Sequence, residues 1–287
     1  MLKYRLIFGT LMTVLFIAVV VLDGWMDGSL TASAADDKQL QGTLLGILIV
    51  LLAVPVQLEI SKLAATNNLK IFTPFSTIAS ILLATSWYWQ QLINVPLHIY
   101  LLFLLAFVLM GLLLYQYLLY GTSGVLANCG ANYFSVVYLG LLSSFVLAIR
   151  IKFGPWPLLM FVFVVKCADI GAYAAGSLFG KHKFSPNISP GKTWEGMAGA
   201  VVVAMIVAVV FAATCDTIKM AWWLAAAFGF CFAFIGQFGD LAESMLKRDA
   251  KQKDSAHNVP GFGGILDVID SPLLAAPFAY LFFMYSF

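Results

Sequence analysis

The chain has 287 residues, of which 62% are hydrophobic and only 10% charged; sixteen Lys and Arg against fourteen Asp and Glu leave a formal charge of +2. Soluble domains carry about 25% charged residues, so these few charges cannot coat a water-soluble surface, and a soluble enzyme or a disordered chain is excluded. A charge of +2 is also too small for a nucleic-acid binder that must neutralise a row of phosphates, which leaves an all-α polytopic membrane protein.

A helix needs about 20 mostly apolar residues to cross a bilayer. Nine stretches qualify: 6–22, 44–58, 72–93, 97–120, 133–149, 157–178, 197–213, 221–238 and 264–285. The second is short, and Ser76, Thr77 and Ser80 interrupt the third. The first has Lys3 and Arg5 ahead of it and Ala32-Ser33-Ala34 behind it, as a signal peptide would. Its apolar run exceeds the roughly 7–15 residues of a secretory core, so a retained anchor is expected.

Cytoplasmic loops carry an excess of Lys and Arg. With the N-terminus inside, eleven of the sixteen fall on the inner side; Lys38, Arg150, Lys152 and Lys219 fall outside, and Lys166 lies within a span. The expected map therefore has a cytoplasmic N-terminus, nine spans and an outer C-terminus, in a plasma (inner) membrane. Arg150 and Lys152 run against it.

Charge is also unevenly spread along the chain. Residues 40–150 are nearly free of it, whereas polar residues crowd beyond 165. The expected division is a transmembrane scaffold over 1–150 and a catalytic region over 151–287. No internal repeat is visible, which argues against an inverted-repeat transporter. Cys129, Cys167, Cys215 and Cys231 are scattered without metal-ligand spacing and read as small apolar filler.

Three polar stretches stand out in the second half. Lys166, Asp169 and Tyr173 sit at i, i+3 and i+7 of a span and share one helix face. They read either as an ion pair that stitches the bundle or as the lining of a polar cavity, because intramembrane charge is expensive. In the loop 179–196, Gly180 ends one helix, Pro186 and Pro190 stiffen the chain, and Ser189 or Thr193 can cap the next helix. Gly191-Lys192-Thr193 resembles the tail of a P-loop, but Pro186 stands where that motif needs glycine. Lys181, Lys183 and Lys192 can be plain topology signals; the turn chemistry between them favours a phosphate-facing loop.

In the third stretch, Asp240, Ser244, Lys247 and Lys251 follow i, i+4, i+7, i+11 and are expected to form one helical stripe. Asp267 and Asp270 enter the last span at i, i+3, after the tight turn Pro260-Gly261-Phe262-Gly263-Gly264. Carboxylates beside Lys and Arg at the inner ends of spans suit one substrate class well: phosphates bridged by Mg²⁺. His98 and His182 read as boundary residues, and His257 can touch phosphate.

The run Ser244-x-x-Lys247-Arg248-x4-Lys253-Asp254-x-Ala256-x2-Val259-Pro260-x-Phe262-Gly263-Gly264-x2-Asp267-Val268-x-Asp270 resembles the signature of phosphatidate cytidylyltransferases, the CDP-diacylglycerol synthases. Asp169-x-x-Ala172-Tyr173-x-x-Gly176-x-x-Phe179-Gly180-Lys181 and Ile188-Ser189-Pro190-x-Lys192-Thr193-Trp194-Glu195-Gly196 are similar to two further motifs of that family, in the same order. Phe262 and Val268 stand where the family usually has His and Arg.

The resemblance implies transfer of CMP from CTP to phosphatidic acid, giving CDP-diacylglycerol and pyrophosphate. It also implies a fold of about nine membrane helices, often a homodimer. Its metal-binding aspartates fall on Asp240 and Asp267, for Mg²⁺ and a second cation that can be monovalent. Its phosphate-handling cations fall on Lys192, Lys247, Arg248 and Lys253. The catalytic set it suggests is Asp240, Asp267, Lys247 and Arg248. The substrate-binding set is Ser189, Lys192, Thr193, Glu195, Ser244, Lys253, Asp254, Gly263, Gly264, Asp270 and Asp169. The chemistry is coherent: the lipid phosphate is already an oxyanion, so charge neutralisation rather than a Ser–His base is needed. A transporter using Asp169, Asp240 and Asp267, or a cytidylyltransferase acting on another lipid phosphate, remains an alternative. A transporter would have no need of the Ser-Pro-x-Lys-Thr-Trp-Glu loop.

Overall fold

The computed structural model describes residues 2–30, 37–256, 259 and 263–287, the first five by backbone alone. The elements are α1 (Leu2–Asp27), α2 (Thr43–Thr66), α3 (Thr73–Ala84), α4 (Ser86–Gln90), α5 (Leu97–Tyr120), α6 (Val125–Val136), a π-turn (Val137–Leu141), α7 (Leu142–Phe153), α8 (Pro155–Phe179), α9 (Trp194–Thr214), α10 (Trp222–Asp249) and α11 (Leu266–Ser286). Among the described residues, extended pairing is limited to single bridges, Lys183 with Thr193 and Val259 with Gly263.

The protein is an all-α polytopic membrane protein. Among the described residues, eight helical segments are long and apolar enough to cross a bilayer, α6 and α7 counting as one through the π-turn. The third expected span differs. It is the twelve-residue α3 followed by the five-residue α4, with Thr85 between them at φ −94° and ψ 10°. Twelve residues rise only about 18 Å, short of a hydrocarbon core of about 30 Å. The hydroxyls that interrupt this stretch compete for backbone groups: Thr77 Oγ1 donates to Thr73 O and Thr85 Oγ1 to Ile81 O, while Trp89 Nε1 donates to Thr85 Oγ1.

The polypeptide runs back and forth between two ends of the bundle. At one end Asn67 Nδ2 donates to Asp249 Oδ2 at 2.5 Å, and the Lys70 ammonium lies 4.3 Å from the centre of the Tyr120 ring. At the other end Gln41 N donates to Gln91 Oε1 at 2.9 Å, and the rings of Phe153 and Phe287 are 6.0 Å apart. Together, α3 and α4 therefore return along the whole length of α2.

The largest core cluster draws on both halves of the chain, with Val20, Leu45 and Leu147 packed with Phe161, Ala204, Phe228 and Phe283. The rings of Phe228 and Phe232 stack at 4.1 Å. Helices α8 and α9 approach at backbone distance: a Cβ on Gly171 would lie 2.6 Å from Gly199 O, and one on Gly199 2.3 Å from Ala175 Cβ. Small residues permit this contact where apolar burial drives little association. On α5 the outward side chains are Leu102, Phe103, Phe107, Met110 and Leu114, a face suited to hydrocarbon.

Arg150 is completely buried near the second end. Its Nε lies 2.8 Å from Asp23 Oδ2 and its Nη2 2.7 Å from Asp27 Oδ2. The same carboxylates accept Leu44 N at 2.7 Å and Gly42 N at 3.1 Å. One guanidinium thus fastens α1, the start of α2 and the end of α7. Its charge is matched within the fold and is not presented to either membrane surface. Removing one partner of a buried ion pair costs about 3–5 kcal/mol. Arg150→Leu should lower the thermal unfolding midpoint of the detergent-purified protein, and adding Asp23→Asn and Asp27→Asn should recover part of the loss. An unchanged midpoint in the single variant would sink this assignment.

Candidate active site

The polar residues of the second half collect at the first end, where α8, α10 and α11 meet the loop 180–193 and the chain between α10 and α11. Thr193 begins α9 as an N-cap, its side chain accepting from Gly196 N at 3.1 Å. Glu195 closes the loop behind it: Oε2 accepts Lys181 N and His182 N, and Oε1 lies 2.6 Å from His182 Nδ1. Arg248 fixes the far side of the same loop, its Nε donating to Ile188 O at 3.1 Å and its Nη1 to Gln252 O at 3.2 Å. Lys192 leaves the loop and reaches α10, where Nζ lies 2.6 Å from Asp240 Oδ2 and donates to Gln237 O at 3.0 Å.

Next to it, Gln237 Nε2 donates to Asp169 Oδ1 at 2.9 Å. Lys166 stands 3.6 Å from Asp169 and 3.7 Å from Asp270, so it bridges α8 to α11 as well as pairing along its own helix. The ion pair expected of this face is therefore present, and it extends to α11.

One turn further along α10, Glu243 is completely buried and paired with Lys247. Lys247 Nζ also donates to Asp267 Oδ1 at 2.6 Å. Asp267 Oδ2 accepts Gly264 N at 2.6 Å, Ser255 N at 3.1 Å and Ser255 Oγ at 2.8 Å. Asp267 is thus held by one ammonium and by the backbone of the turn that precedes it.

Asp240, Glu243 and Asp270 each offer a carboxylate oxygen, and these oxygens all lie within 4.8 Å of one another. Glu243 Oε1 is buried and has no hydrogen-bond partner among the described residues. Around this point five carboxylates (Asp169, Asp240, Glu243, Asp267, Asp270) meet three ammonium groups (Lys166, Lys192, Lys247). Excess acid, an orphaned carboxylate oxygen and all-oxygen donors suit a hard divalent cation such as Mg²⁺, so the residues present fit the metal that the sequence implies.

The structure brings Asp169, Lys192, Asp240, Lys247, Asp267 and Asp270 to one end of the bundle. Ser244 is buried on α10, and Asp254 and Gly263 meet at the turn before α11, where a Cβ on Gly263 would touch Asp254 Cβ at 3.1 Å. Ser189 contributes backbone turns, its N–H donating to Ser185 O and its carbonyl accepting from Lys192 N. Lys253 is exposed. The expected stripe ends early: α10 stops at Asp249, and Lys251 turns away with φ 54° into solvent, so it does not join Asp240, Ser244 and Lys247. His257, Pro260, Gly261 and Phe262 lie outside the described residues.

Two carboxylates escaped the sequence reading. Glu243 sits three residues after Asp240 and four before Lys247, a helical spacing that marks it as their neighbour. Glu59, on α2, accepts from Ile265 N and Leu266 N at 2.9 Å each. The signal for it was a lone acid within an apolar span.

A model of the cytidylyltransferase family matches residues 37–286. The chain belongs to the cytidylyltransferase family. It is 40% identical over 132 residues to the phosphatidate cytidylyltransferase of Haemophilus influenzae, covering 45% of this chain and 46% of that protein. With the proteins of the same name from Mycobacterium tuberculosis and Bacillus subtilis it shares 38% identity, over 158 and 148 residues. These matches cover 54% and 51% of this chain, and 47% and 55% of the relatives. The chain thus spans about half the length of the curated relatives it matches.

Lys247 is the shared counter-ion of two acids, so its loss should be felt as stability. Lys247→Met leaves Glu243 and Asp267 facing each other unpaired, a defect of about 3–5 kcal/mol. We expect a lower unfolding midpoint in detergent, recovered in part by adding Glu243→Gln. A midpoint equal to that of the unaltered protein would contradict the shared pairing.

Proposed function

We propose that this protein transfers CMP from CTP to phosphatidic acid, forming CDP-diacylglycerol and releasing pyrophosphate. The observation that carries the reading is the triad Asp240, Glu243 and Asp270, whose oxygens lie within 4.8 Å of one another beside Lys166, Lys192 and Lys247. The family match and the names of the relatives support the substrate class.

In this reading Asp240, Glu243 and Asp270 would hold Mg²⁺, and Asp267, joined to Glu243 through Lys247, would serve a second cation that can be monovalent. Bound Mg²⁺ supplies charge neutralisation between two anionic reactants and polarises the phosphorus under attack. The protein's own part is to bind and orient. Lys192, Lys247, Arg248 and Lys253 face the negative charge of the nucleotide and of the leaving pyrophosphate. The loop 180–193, clamped by Glu195 and Arg248, presents Ser189, Lys192 and Thr193 to the phosphates. Asp169 and Gln237 orient Lys166 and Lys192 from behind. Val268 carries no charge where the family usually places Arg; Lys166, 3.7 Å from Asp270, is a further cation available at this end of the bundle. No side-chain base is required, because the attacking phosphate oxygen is already anionic.

The same reading places the N-terminus and the polar end of the bundle on the cytoplasmic side of a plasma (inner) membrane, with the C-terminus outside. Supporting it, Lys181, Lys183, Lys251 and Lys253 all project from the polar end. With Arg150 neutralised within the fold, the strongest exception to the charge pattern is accounted for. Counting α3 with α4 and α6 with α7, the chain would cross nine times.

The test uses purified protein, labelled CTP, phosphatidic acid and Mg²⁺. A labelled lipid and stoichiometric pyrophosphate are expected. EDTA should stop the reaction and Mg²⁺ restore it. Asp240→Asn and Asp267→Asn should each lower kcat by roughly a hundredfold or more in protein that still elutes as folded. Metal-independent turnover, or near-normal rates in either variant, would remove the proposal.

A further inference from the structure

We propose that Glu59, a residue of the nearly charge-free first half, is a positioning residue of the transfer site that fixes Asp267 by capping α11 from outside. The kinetic part of this inference rests on the activity proposed above; its structural part does not.

The argument starts from a missing cap. Helix α11 begins after Ile265, an apolar residue with no side chain to accept the free N–H groups of the first turn. Glu59 supplies what Ile265 cannot. Its Oε1 accepts Ile265 N and its Oε2 accepts Leu266 N, both at 2.9 Å, across a sequence separation of more than two hundred residues. The carboxylate also stands at the positive end of the helix dipole. Glu59 is completely buried in a span, where such an acid is kept only with donors in contact.

The same carboxylate reaches Asp267 through one shared group. Ser255 Oγ lies 3.1 Å from Glu59 Oε2 and 2.8 Å from Asp267 Oδ2. Gly264 is wedged against this contact: a Cβ there would fall 1.9 Å from Ser255 Oγ and 2.5 Å from Glu59 Oε2. Gly264 N in turn donates to Asp267. Ser255 and the turn Gly264–Leu266 are therefore held from one side by Glu59 and carry Asp267 on the other. Around them Val56, Ile60 and Leu63 of α2 pack on Leu266 and Leu273, so the frame has a rigid apolar seat. Among the described residues Glu59 reaches Asp267 through Ser255 and the backbone of 264–266, so it acts through Asp267. Misplacement of a reacting group by about 1 Å can cost a hundredfold in rate.

Glu59→Gln tests this while preserving shape. An amide has one acceptor oxygen, so whichever way it turns its NH₂ faces a backbone N–H of α11. The expected result has two parts. Amide exchange should rise at residues 264–267 while the other helices keep their protection. In the CTP assay kcat should fall about 10–100-fold with the CTP KM within threefold, the size seen when groups supporting a site are lost. Glu59→Asp, which keeps both oxygens, should recover part of kcat. Ser255→Ala is the second variant, for the case in which Glu59→Gln does not fold; a 3–10-fold fall in kcat with a native exchange pattern elsewhere supports the proposal. Wild-type exchange at 264–267, or kcat within threefold of wild type in the variants, overturns it. So does a loss of protection spread evenly over all helices in both variants, which would make Glu59 a plain stability residue. If the unaltered protein forms no cytidylylated lipid, the activity proposal fails, while the exchange at 264–267 still decides the capping role.

Discussion

At the depth of a bilayer a carboxylate is tolerated only with a counter-charge or a set of donors in contact, and Lys247, wedged between Glu243 and Asp267, meets that demand for two helices at once. Much of the polar end follows from it. Because Lys247 serves both acids, α10 and α11 are held in one register. Because Asp267 is drawn toward Lys247 and the turn at Gly264, Asp270, one turn on, comes to face Asp240 and Glu243. The carboxylate triad and the ion pair are therefore parts of one arrangement. Altering either changes the charge balance seen by the other.

The apolar first half takes part in this arrangement. Its α2 carries Glu59 to the start of α11, and its end is tied to Asp249 through Asn67. The largest core cluster mixes residues of both halves, so the site is seated on helices from along the whole chain. Tight backbone contact between α8 and α9, through Gly171 and Gly199, brings Asp169 and the loop of Lys192 to the same wall. The site is thus as much a product of small residues in the membrane as of charged ones at its edge.

Hydropathy made most of the architecture legible, since the long apolar runs have no alternative at this composition. The span over 97–120 coincides with α5 because Pro96 and Gly121 bound an unbroken apolar run. The break in 72–93 was visible as Ser76, Thr77 and Ser80, but the pause falls at Thr85, where the hydroxyl serves both Ile81 O and Trp89. Site residues on regular helices, such as Asp240 and Lys247, could be placed by period. Lys251 could not, because α10 ends two residues earlier. Glu59 lay beyond periodicity altogether: its partners are some two hundred residues away, and only the fold shows what a lone acid in an apolar span is for.

The Arg150 clamp bears on how this protein is made. Asp23 and Asp27 leave the ribosome long before Arg150, whose guanidinium meets Asp27 across 123 positions of chain. Until α7 is inserted, the first helix carries two acids that lack the guanidinium which pairs with them in the finished fold. Its final seat is therefore set late in synthesis, when the arginine arrives and the end of α1 can dehydrate. Completion of α7 thus adds the cation that joins the end of α1, already tied to the start of α2 through Gly42 and Leu44, to the end of α7.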